Sequence, residues 1–163
     1  MKPALMIIDM QKAYHTGPSA PSMDAACEYI NAAATLFRKK GLPVLWIQHR
    51  NEYDQSLPGL PGFEVIDSLK PLEKEPRIAK EYNNSFNKTD CKKILDSHAV
   101  DTVIVTGYCA EECVLSTCRG ARDLDLASII LRSGIASGVP ENIGFVERIN
   151  DVISYGALRK ALE

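Results

Sequence analysis

A chain of 163 residues at 45% hydrophobic composition is long enough to close a core without disulfide or metal staples, and it fits one domain spanning residues 1–163. A formal net charge of −2, with Lys and Arg scattered, gives no basic footprint. This argues against nucleic acid or an anionic membrane as partner and leaves small molecules and proteins.

The opening "MKPALMIIDMQ" carries an apolar run at 4–8 that is too short for a signal-peptide core and is broken by Asp9, so it reads as a buried strand. From 22 to 40, Met23, Cys27, Ile30, Ala34 and Phe37 recur at helical spacing, with Ser22 as the expected cap and Gly41 as the stop. The run "PVLWI" at 43–47 predicts the next strand. Residues 51–76, rich in Pro and Gly ("LPGLPGF"), show no sustained period; they read as a long ordered loop, of the kind that tends to be functional and here a lid. "PRIAKEY" brings Lys80 after a short apolar pair. A helix over 87–98, a strand over 102–106, a helix over 112–124 and a strand over 127–131 follow. A helix opened by Pro140, a short strand at "DVIS" and a terminal helix "YGALRKALE" complete the chain. The strand runs are short and not alternating, as in strands buried on both faces, and they alternate with helices. That pattern predicts an α/β protein with a parallel sheet wound from βαβ units. No stretch approaches the roughly 18–20 apolar residues of a membrane span. Five cysteines, an odd number without a secretion signal, read as mostly free thiols in a cytoplasmic protein.

Ligands of open parallel sheets sit beyond the carboxyl ends of the strands. Those ends carry Asp9, Lys80 and, six residues after Gly107, Cys113. A thiol attacks as thiolate, a carboxylate can take its proton, and an ammonium can hold the carboxylate and stabilise charge at sulfur. Cys113 falls in the first turn of a predicted helix, whose dipole and free N–H groups favour an anion. Each residue also has an ordinary use: Asp as a strand-end turn, Lys as a solvated charge, Cys as a small core hydrophobe. Three cysteines within "YCAEECVLSTC" allow a metal or redox cluster as well, but Cys109, Cys113 and Cys118 lack a C-x-x-C pair or a nearby histidine. A Cys109–Cys113 disulfide that switches off the nucleophile is a further reading of the same spacing. Glu111 and Glu112 flank Cys113 and would oppose its ionisation unless they point away from it.

Three ordered segments carry a family resemblance: "ALMIIDMQKAY", "RIAKEYNNSFNKTDCKKIL" and "VDTVIVTGYCAEECVLSTCRGARD". In these the chain resembles the isochorismatase-like cysteine hydrolases, which include nicotinamidases and N-carbamoylsarcosine amidohydrolases. The resemblance implies a three-layer, Rossmann-like αβα fold with a six-stranded parallel sheet of order 3-2-1-4-5-6. It implies a triad of Asp9, Lys80 and Cys113, in which the aspartate is the general base and the cysteine forms an acyl-enzyme from a small amide or ureido substrate. It implies a cis peptide between Tyr108 and Cys109, with the backbone N–H groups of Cys109 and Cys113 receiving the oxyanion. It further implies no cofactor and a homo-oligomer, a dimer or larger, whose neighbouring subunit completes the pocket.

The chain departs from the family pattern in places. "WIQHRNEYDQ" has His49 but Ile47 where nicotinamidases carry the Asp of their metal-binding Asp-x-His, and His15 and His98 lie elsewhere, so no metal is expected. Ala110 stands where many members have Thr, and Ser133 and Gly134 replace a common Asp-Ala at the end of the fifth strand. The substrate-contacting candidates are Gln11, Tyr14, His49, Tyr82, Phe86 and Tyr108. Two rival functions stay open: vinyl-ether hydrolysis of an isochorismate-like compound using the aspartate without the cysteine, and a non-catalytic binding module on the same fold.

Overall fold

Strands and helices alternate along the chain in the computed structural model, which describes residues 1–163. The strands are β1 (Pro3–Ile8), β2 (Val44–His49), β3 (Arg77–Lys80), β4 (Thr102–Tyr108), β5 (Ala127–Ala136) and β6 (Asp151–Ile153). The helices are α1 (Ser19–Lys39), α2 (Cys91–Ser97), α3 (Leu115–Asp123), α4 (Pro140–Arg148) and α5 (Tyr155–Ala161). All strand pairs are parallel and the order is β3-β2-β1-β4-β5-β6. No helix is long and apolar enough to cross a membrane.

The unbroken apolar strands are explained by two cores. Ala4, Met6 and Ile8 of β1 face α2, α3 and α4 through Cys91, Leu95, Cys118, Ala121 and Val146. Leu5 and Ile7 face α1 and α5 through Met23, Ile30, Phe37 and Leu158. A side chain of this size is worth about 1.5–3 kcal/mol when fully buried, so β1 is central to both layers. Cys27, Cys91 and Cys118 are buried packing residues of these cores.

Several expected boundaries shift. Helix α1 starts at Ser19 rather than behind a Ser22 cap, because Pro21 falls in its first turn, where no N–H is required. Ser22 instead accepts a hydrogen bond from the Ser137 backbone at 3.0 Å. Helix α2 begins at Cys91, four residues later than its periodicity suggests. Strand β5 continues to Ala136 through an irregularity opposite Val105 and Gly107, with Ser133 at φ 63°. Ser133 and Gly134 therefore lie within the strand, and Ser133 is solvent-exposed there.

The loop over 51–76 is ordered by specific bonds. Glu75 accepts from Arg38 (2.7 and 2.9 Å), from the Trp46 indole (2.8 Å) and from the Leu72 backbone (2.9 Å), fixing the loop's end to α1 and β2. Trp46 is thus a core residue.

Gly107 sets how closely β4 can lie on β1. Its φ is 110°, and a Cβ built on it would stand 2.1 Å from the Ile8 carbonyl oxygen. Gly107→Ala is expected to lower the unfolding free energy by about 2–3 kcal/mol, read as a reduced urea midpoint with an unchanged slope. A midpoint equal to that of the parent would show that β4 has room to give.

Candidate active site

The sheet order reverses between β1 and β4, and the side chains that end the strands gather at that switch point. His49 is in register with Lys80, and Ile8 with both Ile47 and Gly107, so four strands finish level with one another. Asp9, one residue beyond β1, is held at φ 49° and donates its backbone N–H to Ile47 at 2.9 Å. After β4 the Tyr108–Cys109 peptide is cis, and a π-helical turn, Ala110–Val114, carries Cys113 into the crevice before α3 begins. The expected helix over 112–124 is thus split. Such single π turns often occur at functional sites.

Lys80 is the hub. Its side chain is 0% exposed, and Nζ reaches Asp9 Oδ2 at 2.8 Å, His49 Nδ1 at 2.9 Å and Cys113 Sγ at 3.2 Å. An ammonium has three N–H donors, and three acceptors meet them. Because His49 accepts at Nδ1, its neutral ring carries the proton on Nε2. Burial, and then the charge of Lys80, lower the His49 pKa from its ordinary 6.5.

Burial pushes the Cys113 thiol well above the ordinary range; the Asp9 charge adds to this and Lys80 offsets part of it. The resting residue is therefore a thiol beside a carboxylate. Asp9 is 2% exposed, and its Oδ1 has no partner within the protein. Both neighbouring glutamates are engaged by other side chains. Glu111 accepts from Ser137 Oγ (2.9 Å) and Asn142 Nδ2 (2.8 Å), whereas Glu112 accepts from Asn83 Nδ2 (2.8 Å). The Cys109 thiol lies against Ser137 and Glu111, and burial followed by Glu111 raises its pKa to about 12. All five cysteines are free, and the Cys109 and Cys113 sulfurs face different partners.

A cavity of about 310 Å³ opens onto this group, lined among others by Asp9, Tyr14, His49, Tyr108, Cys109 and Cys113. Tyr14 stacks on Tyr108 with centroids 5.7 Å apart and meets His49 edge-on at 6.5 Å. Gln11, expected as a wall, is instead a fully buried brace: its Oε1 accepts from the His49 backbone at 2.6 Å, and its Nε2 lies 2.9 Å from Ser56 Oγ. Tyr82 and Phe86 stand outside the cavity lining. Tyr82 is exposed and hydrogen-bonded by Lys88 at 3.0 Å, while Phe86 packs against the core. Sequence reasoning missed Asn51, Asp54, Asn83 and Glu112, which also line the cavity. They are loop and turn residues outside any hydrophobic period, and the only hint of them was proximity to Lys80 and Cys113. A second cleft, bordered by Pro43, Glu75, Pro76 and His98, lies at the opposite ends of the strands and holds no thiol.

Asp9, His49 and Cys113 bring atoms of metal-ligand type within 4.8 Å of one another. They converge because all three accept from the Lys80 ammonium, whose charge already occupies the point they share. The other histidines are dispersed: His15 pairs with Asp24 at 2.7 Å, and His98 lies at the end of α2.

An open parallel α/β sheet with an Asp–Lys–Cys cluster at its switch point defines the class of protein. Residues 3–144 match the family model of the isochorismatase domain, and the chain belongs to the isochorismatase family. The uncharacterized isochorismatase family protein YrdC of Bacillus subtilis (strain 168) is 32% identical over 139 residues, covering 83% of this chain and 74% of that protein. The crystal structure of an isochorismatase-like hydrolase from Alkaliphilus metalliredigens covers 100% of both chains with a TM-score of 0.91 at 24% identity, a likeness of fold. N-carbamoylsarcosine amidase from Thermoplasma acidophilum is 26% identical with a TM-score of 0.84, covering 94% of this chain and 96% of that one.

Two outcomes follow from the hub. Lys80→Met leaves Asp9 buried without its cation and is expected to cost about 3–5 kcal/mol in chemical denaturation, whereas adding Asp9→Asn recovers part of that loss. A single and a double variant of equal stability would contradict the coupling. His49 is expected to titrate below 6.5 by imidazole NMR. Unfolding lets this ring take up a proton, so its contribution to stability falls as pH drops below 6.5.

Proposed function

We propose that this protein is a cysteine hydrolase of small C–N substrates, amides or ureido compounds, with Asp9, Lys80 and Cys113 as its catalytic triad. One observation carries the reading: a single buried ammonium bonded at once to a carboxylate and to the only thiol in contact with it. Family membership and the likeness to an amidase at 26% identity add support.

The chemistry follows from the geometry. With its thiol pKa raised, Cys113 does not attack as a standing thiolate; Asp9 takes the proton as the sulfur bonds to the substrate carbon. Lys80 keeps its charge and stabilises the carboxylate before transfer and the sulfur during it. The oxyanion is assigned to the backbone N–H groups of Cys109 and Cys113, where the cis peptide and the π turn meet. Collapse breaks the C–N bond, and the leaving nitrogen takes the proton from Asp9. Asp9 then removes a proton from water, which attacks the thioester; the acid product leaves and the thiol is restored. No step calls on a metal. The reading also takes the chain as a single domain, placed in the cytoplasm with its five unpaired cysteines and assembled as a homo-oligomer.

The test is ammonia release over a panel of primary amides and ureido acids, with intact-protein mass spectrometry for an acyl adduct. Cys113→Ala is expected to remove the adduct and lower kcat/KM by at least about 1,000-fold. Activity that survives Cys113→Ala but is lost in Asp9→Asn would point to vinyl-ether hydrolysis. Neither turnover nor adduct on any substrate would favour a binding module.

A further inference from the structure

The charge of the cavity bears on what enters it, and the inference rests on the amidohydrolase reading. The only cationic side chain facing the reacting group is Lys80, and its three donors are committed to Asp9, His49 and Cys113. Nothing remains on it for a substrate carboxylate. Arg50, next in sequence to His49, turns to Glu81 at 3.5 Å and does not line the cavity. His49 is held neutral against the ammonium, with its pKa lowered by burial and by Lys80.

The walls carry the opposite sign. Asp54 and Glu112 line the cavity, each with one oxygen engaged inside the protein: Asp54 Oδ2 accepts from the Tyr14 hydroxyl at 3.4 Å, and Glu112 Oε2 from Asn83 at 2.8 Å. The second oxygen of each is free to accept. Independently, Asp9 lines the same cavity at 2% exposure with Oδ1 lacking any partner in the protein. That oxygen lies beside the Cys113 thiol, whose proton the mechanism gives to Asp9, and it adds a further negative charge at the floor of the cavity. An anionic substrate would meet like charge on several sides with no free cation to receive it, whereas a cation carrying several N–H donors matches the open oxygens.

We propose that the preferred substrates are small amides or ureido compounds bearing a cationic group, an ammonium or guanidinium a few bonds from the scissile carbonyl, held by Asp54 and Glu112. The hydrolytic step is the one given above and needs no further reactant than water. Asp54 and Glu112 are then specificity-determining residues.

The experiment compares four amides of similar length: 4-guanidinobutanamide, 4-aminobutanamide, neutral pentanamide and anionic succinamate. Ammonia release by the wild-type protein is expected to rank the two cations first and succinamate last. Asp54→Asn and Glu112→Gln are each expected to cut the cation-to-neutral ratio of kcat/KM about fivefold, an effect weakened by added salt. Equal rates across the panel, or a preference for succinamate, would overturn the assignment. Calorimetric binding of 4-guanidinobutanamide and pentanamide to Cys113→Ala separates charge selection from turnover. If that variant binds the cation no better than the neutral amide, the charge assignment fails whatever the hydrolysis data show. If it does bind the cation better while the wild type never turns it over, the amidohydrolase reading fails and the charge assignment stands.

Discussion

A buried lysine ammonium is the constraint on which the rest of this site depends. Removing such a charge from water costs several kcal/mol, and that cost is offset only where acceptors of good geometry surround it. Here the acceptors come from three separate places in the chain: the end of β1, the end of β2 and the π turn after β4. The lysine itself ends β3. The hub therefore forms only when the sheet has the order β3-β2-β1-β4 and the strands finish level. Fold and site specify one another, since a register slip in any of these strands would strand Lys80 among apolar neighbours.

The connection between β1 and β4 shows how a backbone requirement becomes a chemical one. Gly107 lets β4 approach the Ile8 backbone more closely than any side chain allows, and the next residues turn through the cis peptide into the π turn. The wider π turn places Cys113 over Asp9 and Lys80 while sending Glu111 toward Ser137 and Asn142. Glu111 is thereby engaged away from the sulfur, Glu112 stays in the cavity wall on Asn83, which also meets the Cys113 sulfur at 3.6 Å, and the carboxylate that raises the thiol pKa is Asp9, 104 positions earlier in the chain.

Much of this was legible in the sequence, for a physical reason. Strands buried on both faces must be apolar throughout, so β1, β2 and β4 announced themselves, and a polar residue ending such a run stands out, as Asp9 and Lys80 do. The stripe of Met23, Cys27, Ile30, Ala34 and Phe37 was readable because one face of α1 is buried. What was not legible depends on backbone detail or on long-range pairing. The continuation of β5 past Leu131 is masked by Arg132 and Ser133, which a local irregularity turns outward. Gln11 looked like a pocket residue because it follows Asp9, yet its amide braces the backbone of His49, a contact between segments 38 residues apart. Asn51, Asp54 and Asn83 lie in loops, where no periodicity reports which way a side chain faces.

The balance of charge around Cys113 ties these points together. A thiol kept protonated by burial and by Asp9 is protected from adventitious oxidation and alkylation, because the thiolate is the reactive form. Under the proposed mechanism, proton transfer to Asp9 would be part of the attack itself, so reactivity would arise only with a substrate carbonyl in place. Lys80 prevents this arrangement from failing in either direction. Without its charge the carboxylate would be buried uncompensated, and with a metal in its place the thiol would be drawn into coordination as thiolate. Lysine suits the position because its flexible stem reaches the centre of the group while its ammonium supplies three donors to three acceptors, leaving the free carboxylate oxygens of Asp54 and Glu112 to face whatever enters the cavity.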